Sequence, residues 1–139
     1  MTISINNRQI IANEFKFISG KIRSEKELPR KIYYFSGTFG MIQRIFNIDY
    51  DINLVLLHTI LQDTHRGLNN LLSMIISGNE KVITLPPGLF DSLADVVEEL
   101  GNTIVNDKDI MPSLEKIAAI GYVTMGNGYY LYQKGTLKV

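Results

Sequence analysis

Residues 52–77 carry the feature that most constrains how this chain can fold, an apolar stripe at helical spacing. Positions three and four residues apart share one face of an α-helix. Asp49 or Asp51 can cap the start of this helix, and Gly78 fits just past its end. The pattern predicts one long amphipathic helix whose stripe consists of Leu54, Leu57, Leu61, Thr64, Leu68, Leu71 and Ile75.

The stripe is wider and longer than the two short helices predicted after it can cover. A straight helix over these residues would be about 39 Å long, so it either bends at Gly67 or projects to meet a partner. A projecting helix with a leucine seam is one way in which small proteins dimerise. We therefore predict a homodimer whose interface uses Leu54, Leu57 and Leu61.

The first fifty residues show the alternation that is typical of strands. Phe15 and Phe17 alternate with polar neighbours, Lys31–Phe35 predicts a second strand, and Pro29 marks a loop or an edge. After the long helix, the sequence predicts a strand at 81–85, helices at 89–100 and about 110–120, and a hairpin at 122–133. The predicted fold class is α+β, with a basic β-rich part over residues 1–50 and a helical domain with a C-terminal hairpin over 51–139, either as two parts or as one compact unit.

From residue 52 onward the predicted order is helix, strand, helix, helix, strand, strand. Three segments carry a family resemblance: LADVVEELG at 93–101, LEKIAAIGYV at 114–123 and GNGYYLYQKG at 126–135. In this order they resemble a winged-helix domain spanning about 52–139. The resemblance implies DNA binding through a recognition helix at 110–120. Residues 89–115 nevertheless carry seven acids and one lysine, which would repel phosphates and argue against direct base reading.

The charges are unevenly distributed along a chain of zero formal net charge. Residues 1–50 hold eight basic and four acidic residues, whereas residues 51–139 hold six basic and ten acidic residues. Such an asymmetry indicates either two surfaces with different partners or two halves that attract each other.

A basic segment followed directly by aromatic residues is the strongest indication of a nucleic-acid site. Basic and aromatic groups side by side can hold phosphates and stack bases, although the aromatic residues can equally face the core. Tyr33, Tyr34 and Phe35 are the aromatic residues. The predicted nucleic-acid-binding residues are Arg23, Lys26, Arg30 and Lys31, with Lys116 on the recognition helix and Lys134 beside the hairpin.

Several classes of function are disfavoured by what the sequence lacks. The chain has no cysteine, which excludes disulfides, thiolate metal sites and cysteine nucleophiles. His58 and His65, two partly exposed residues of a polar helix face, lie about 10.5 Å apart along the helix axis, too far to share one metal ion. No catalytic motif, cofactor site or metal site is predicted. The longest apolar runs, of which Leu54–Leu57 is one, are far too short to cross a bilayer, and we expect a cytoplasmic protein.

Three functions follow, in this order of preference. The first is a small nucleic-acid-associated protein, a transcriptional regulator or an accessory subunit of a nucleoprotein complex. The second is a protein-interaction or assembly module that binds its partner through the acidic surface at 89–115. The third is a small enzyme without a recognisable motif.

Overall fold

The computed structural model describes residues 1–77 and 87–124, and every regular element within these ranges is an α-helix. The helices are α1 (Ile5–Ser24), α2 (Leu28–Phe46), α3 (Ile52–Ile76), α4 (Leu89–Val105) and α5 (Met111–Val123). No strand occurs in the described ranges. The predicted α+β fold, with β-rich residues 1–50, is therefore wrong.

Helix α1 replaces the strand predicted around Phe15 and Phe17. The hydroxyl of Ser4 caps the helix by accepting a hydrogen bond from the backbone N–H of Asn7 at 3.2 Å. Four residues at helical spacing are buried, namely Ile11, Phe15, Ile18 and Ile22. Phe17 is exposed, because it lies on the opposite side of the helix. The alternation of Phe15 and Phe17 with polar neighbours therefore does not mark a strand. It places the two rings on opposite sides of a helix.

Helix α2 begins where the sequence predicted a loop followed by a strand. Pro29 lies in the first turn, where a missing backbone N–H costs nothing because that group has no partner within a helix. The buried residues of this helix are Ile32, Phe35, Thr38, Ile42 and Ile45, again at steps of three and four. The strand predicted at Lys31–Phe35 is therefore a helical segment.

Helix α3 confirms the long amphipathic helix. Asp51 is its N-cap, and its Oδ1 accepts a hydrogen bond from the backbone N–H of Asn53 at 2.8 Å. Leu54, Leu57 and Leu61 are fully buried in the core of the single chain. They present no surface to a second copy, so a dimer cannot use them without opening the fold; the oligomeric state itself stays a prediction.

The five helices pack as a ring around one shared core. Going round it, α1 contacts α2, α2 contacts α3, α3 contacts α5, α5 contacts α4, and α4 returns to α1 through the most extensive contact of all. Of the two helices predicted after α3, α5 contacts it, whereas α4 packs chiefly on α1 and α5. The largest fully buried side chains, Phe15 and Phe35, come from the two N-terminal helices.

Glycines allow two of these helix pairs to approach closely. A Cβ atom added to Gly101 of α4 would lie 3.2 Å from Phe15 Cβ and 3.3 Å from Ala12 Cα. Between α3 and α5, a Cβ on Gly67 would overlap Thr124 Oγ1, and a Cβ on Gly121 would lie 2.8 Å from Thr64 Oγ1. Gly101 and Gly121 directly follow the helices predicted at 89–100 and about 110–120, but both lie inside the helices of the structure.

The winged-helix interpretation conflicts with this arrangement. Tyr122 and Val123, assigned to a wing strand, belong to α5, and α4 packs chiefly on α1 and α5. The remaining parts of that interpretation, the strand at 81–85 and the hairpin beyond residue 124, lie outside the described residues, as does Gly78. With no strand among the described residues, the structure is a helical ring rather than a winged helix.

Candidate interaction surface on α1 and α2

Arg23, the first of the predicted phosphate contacts, is bound to the chain itself. Its Nη2 lies 2.7 Å from Asp95 Oδ1, and its Nη1 lies 2.8 Å from Glu98 Oε2, both on α4. Hydrogen bonds to Asp95 and then to Glu98 raise the pKa of the guanidinium above its usual value. This side chain is therefore committed to holding α1 against α4.

Three of the other predicted cations are also engaged within the chain. Lys31 Nζ donates a hydrogen bond to the carbonyl of Ile22 at 2.5 Å, and Arg30 Nη1 lies 3.5 Å from Glu25 Oε2. Lys116 Nζ lies 2.9 Å from Glu99 Oε1. Lys26 is exposed and forms no hydrogen bond or ion pair with any described residue, and Lys134 lies outside the described ranges.

Five of the seven acids in the predicted acidic surface at 89–115 also have partners within the chain. Hydrogen bonds from Lys116 and Ser113 lower the pKa of Glu99. The Met1 ammonium, at 2.8 Å, lowers the pKa of Asp107. The other acids of this segment that are engaged within the chain are Asp95, Glu98 and Asp109. The ion pairs of Asp95, Glu98 and Asp107 thus join the basic first half to the acidic second half.

One group of aromatic and cationic side chains on α1 and α2 remains open to solvent. The rings of Phe17 and Tyr34 meet edge to face at 6.4 Å, and those of Tyr33 and Tyr34 at 5.6 Å. Lys21 Nζ lies 5.7 Å from the centre of the Phe17 ring and 5.6 Å from that of Tyr34. Tyr33 is 71% exposed and Phe17 is 53% exposed. We name Phe17, Lys21, Tyr33 and Tyr34 the aromatic–lysine cluster.

Helical geometry explains how the cluster forms. Phe17 and Lys21 are four residues apart and share the outer face of α1. On α2, Phe35 enters the core while the preceding Tyr33 stays on the outside. In the sequence, Lys21 belongs to the basic segment that precedes the two tyrosines, but neither Lys21 nor Phe17 was among the predicted binding residues. Only the packing of α1 against α2 brings the two pairs together.

A second aromatic group joins α2 to α3 and contains both histidines. Phe39 contacts His58 at 6.0 Å and His65 at 5.3 Å between ring centres. His65 also stacks on Phe35, with ring centres 6.4 Å apart, and His58 meets Phe46 at 5.6 Å. The two histidines therefore pack against phenylalanine rings rather than standing free on a polar face. Burial lowers the pKa of His65 below its usual value.

Two further classes of site were sought among the described residues, metal centres and membrane-spanning helices. They contain no group of three or more His, Cys, Asp or Glu side chains that could hold a metal ion. None of their helices is long and apolar enough to cross a membrane. No protein-family model, curated protein or solved structure matches this chain. The aromatic–lysine cluster is therefore the surface on which a function can best be argued.

Proposed function

We propose that this chain is a protein-interaction module that binds an acidic segment of a partner protein on the aromatic–lysine cluster. The observation that carries the proposal is the exposure of Phe17 and Tyr33 beside Lys21. Tyrosine and other large aromatic side chains dominate the binding energy of protein interfaces, because they bury a large area at low entropic cost. Exposed on a monomer, they are expected to mark a binding surface.

The charge beside these rings selects the partner. Lys21 sits within cation–π distance of two rings, which holds its ammonium group at the surface. Lys16, which precedes Phe17 in α1 and is exposed, is a further positive charge on this helix. A carboxylate of the partner can therefore bind at Lys21 while its apolar neighbours pack on Phe17 and Tyr33.

A protein partner is favoured over nucleic acid because four of the predicted phosphate-binding cations, Arg23, Arg30, Lys31 and Lys116, are engaged within the described part of the chain. Nucleic-acid affinity comes chiefly from several Lys and Arg side chains that contact phosphates. Arg23 and Lys31 are already engaged with the chain itself. The cluster thus has the composition of a protein-binding surface, rich in aromatic residues with only a modest positive charge.

The experiment is an NMR titration of isotope-labelled protein with two peptides that share the same leucine and phenylalanine residues. One peptide carries glutamates and the other carries lysines at the remaining positions. We expect saturable shift changes at the amides of Phe17, Lys21, Tyr33 and Tyr34 with the acidic peptide only. Tyr33→Ser should abolish the response, whereas Tyr50→Ser, which changes a similarly exposed tyrosine elsewhere, should leave it intact.

Two outcomes would overturn the proposal. Equal responses to the acidic and the lysine peptide would show that the cluster does not select charge. Tighter binding of a single-stranded oligonucleotide to the same four residues at physiological salt would assign the surface to nucleic acid instead.

A further inference from the structure

A groove with a volume of about 580 Å³ lies between α4 and α5. Glu99 of α4 ties the two helices together, because its carboxylate accepts hydrogen bonds from Ser113 at 3.0 Å and from Lys116 at 2.9 Å. The groove lies beside this tie, and its volume is within the range of about 300–1,000 Å³ that is usual for ligand sites. We name it the α4–α5 groove; its lining residues are Ser92, Asp95, Val96, Pro112, Glu115, Lys116, Ala119 and Ile120.

The apolar part of the α4–α5 groove is already formed in the single chain. Val96 and Ile120 belong to the buried core, so the floor is held in place by the packing of the fold. Pro112 is exposed and Ala119 is half-buried, and both are available to a bound molecule. A site that does not have to be ordered on binding costs less conformational entropy to occupy.

The charge around the α4–α5 groove stays negative after the ion pairs of the described residues are taken into account. The two cations, Arg23 and Lys116, are each bound to carboxylates of α4. These carboxylates belong to Asp95, Glu98 and Glu99. Glu115 of the lining and Asp91, in the first turn of α4, are exposed and form no hydrogen bond or ion pair with any described residue. Five acids therefore stand beside two basic residues.

From this combination we infer that the α4–α5 groove binds a basic amphipathic segment of a partner protein. An amphipathic helix that lays its apolar face into a groove is a common mode of peptide recognition. The apolar side chains of the segment pack on Pro112 and Ala119, and a Lys or Arg beside them faces the unpaired carboxylate of Glu115. Complementary charge of this kind selects the partner and speeds its approach.

The inference goes beyond the proposed function, because the two surfaces select opposite charges. The aromatic–lysine cluster takes an acidic segment at Lys21, whereas the α4–α5 groove takes a basic one at Glu115. The groove also gives the acidic surface predicted at 89–115 a specific place, between two helices rather than along one. A chain with both surfaces can hold two different segments at once.

The first test uses the two peptides described above, which differ only in carrying glutamates or lysines. In an NMR titration of the isotope-labelled full chain, we expect the lysine peptide to cause saturable shift changes at the amides of Ser92, Val96, Glu115 and Ala119. The glutamate peptide should leave these four amides unchanged. No saturable change with the lysine peptide up to about millimolar concentration, or equal changes with both peptides, would overturn the inference.

The second test changes the charge and the space of the groove separately. Glu115→Lys places a cation where the segment brings its own, and it should weaken binding of the lysine peptide about tenfold. Glu14→Lys is the matched control, because Glu14 on α1 also has no partner among the residues that the structure describes, and it should leave the affinity unchanged. Ala119→Gln fills the groove without adding charge and should abolish the response. Unchanged affinity in Glu115→Lys would contradict the inference even if Ala119→Gln fails to fold.

Two other occupants of the groove would show themselves in the same spectra. Shifts of the groove amides that depend on the concentration of the chain, with no peptide present, would assign the groove to a second copy. Shifts of these amides caused by Lys134→Glu/Lys138→Glu in the full chain would assign it to the chain's own residues 125–139. Either result would overturn the assignment to a partner protein.

The inference and the proposed function can fail separately. Glu115→Lys should leave the response of the aromatic–lysine cluster to the acidic peptide intact. Tyr33→Ser should leave the response of the α4–α5 groove to the lysine peptide intact. Loss of both responses in either variant would show that the two surfaces are not independent, and would overturn the inference.

Discussion

Arg23 Nη2 and Asp95 Oδ1 lie 2.7 Å apart across the contact between α1 and α4, although 72 residues separate them in the chain. Glu98 holds the second nitrogen of the same guanidinium. All three side chains remain in contact with solvent, so water and salt weaken their attraction. The group therefore aligns two helices that apolar packing already joins.

We predict a small coupling energy for this ion pair. In a double-mutant cycle of Arg23→Ala and Asp95→Ala, urea unfolding should give a coupling below about 1 kcal/mol. The coupling should shrink further in about 1 M salt, because screening acts on exposed pairs. A larger coupling that is insensitive to salt would contradict this expectation.

Replacing glycines by alanine should have opposite effects at two helical positions. Gly67→Ala places a methyl group onto Thr124 Oγ1 and 3.1 Å from the carbonyl oxygen of Gly121, and we expect a loss of about 1–3 kcal/mol. Gly20→Ala, in α1, adds a methyl group that meets nothing within 4 Å. Because alanine favours the helix, this change should add about 0.5–1 kcal/mol. Urea denaturation measures both values.

A second change separates overlap from other effects at Gly67. Adding Thr124→Ala to Gly67→Ala removes the hydroxyl that the new methyl group meets. The double variant should therefore recover part of the stability that Gly67→Ala lost, after subtraction of the effect of Thr124→Ala alone. Strictly additive losses would show that the contact between α3 and α5 is looser than the structure indicates.

The stability of the fold should decrease as the pH falls through the histidine range. Burial lowers the pKa of His65 below its usual value, so the unfolded chain takes up this proton first. The free energy of unfolding should then fall as the pH drops below about 6.5, and should level off once the lowered pKa is passed. The test compares the thermal unfolding of wild type and His65→Gln over a series of pH values above and below about 6.5. The variant should lose the part of the pH dependence that His65 causes. Identical pH profiles of the two proteins would contradict it.

Removing the cap of α3 should destabilise both the helix and the N-terminal segment. Burial alone would raise the pKa of Asp51, but hydrogen bonds from Thr2 and Asn53 outweigh it, and the net shift is downward. We expect Asp51→Ala to cost about 1–2 kcal/mol in urea unfolding, as for other N-cap residues. Asp51→Asn keeps a side-chain oxygen for Asn53 and should cost less. Equal losses for both variants would indicate that the charge, rather than the acceptor, is what matters.

The sequence was sufficient to predict α3 and insufficient for α1 and α2. In α3 an unbroken apolar stripe and a capping aspartate, Asp51, both indicate a helix. In α1 the buried series through Ile11, Phe15 and Ile18 has helical spacing, but the extra Phe17 produces a local alternation that also fits a strand. Pro29 is equally ambiguous, because it marks either a loop or the first turn of a helix. Local patterns cannot choose between such alternatives, whereas the packing of α1 against α4 does.

The candidate surface shows the same limit of local patterns. Tyr33 and Tyr34 stand out in the sequence because they follow basic residues, yet the prediction assigned the binding to Arg23 and Lys31. Of the six residues predicted to bind, these two are engaged within the chain, Arg23 by Asp95 on α4 and Lys31 by the carbonyl of Ile22. Which charged side chains remain free depends on contacts between distant parts of the chain. Local sequence patterns do not predict these contacts.

The order of the helices around the ring determines when each helix meets its neighbours during synthesis of the chain. Helix α1 leaves the ribosome long before α4, its most extensive neighbour in the finished structure. Until α4 emerges, the side of α1 that packs against Gly101 near Phe15 is not covered by that helix. A nascent chain in this state therefore exposes apolar side chains. Chaperones that hold unfinished chains are therefore expected to bind the first three helices. They should release them once α4 has emerged from the ribosome.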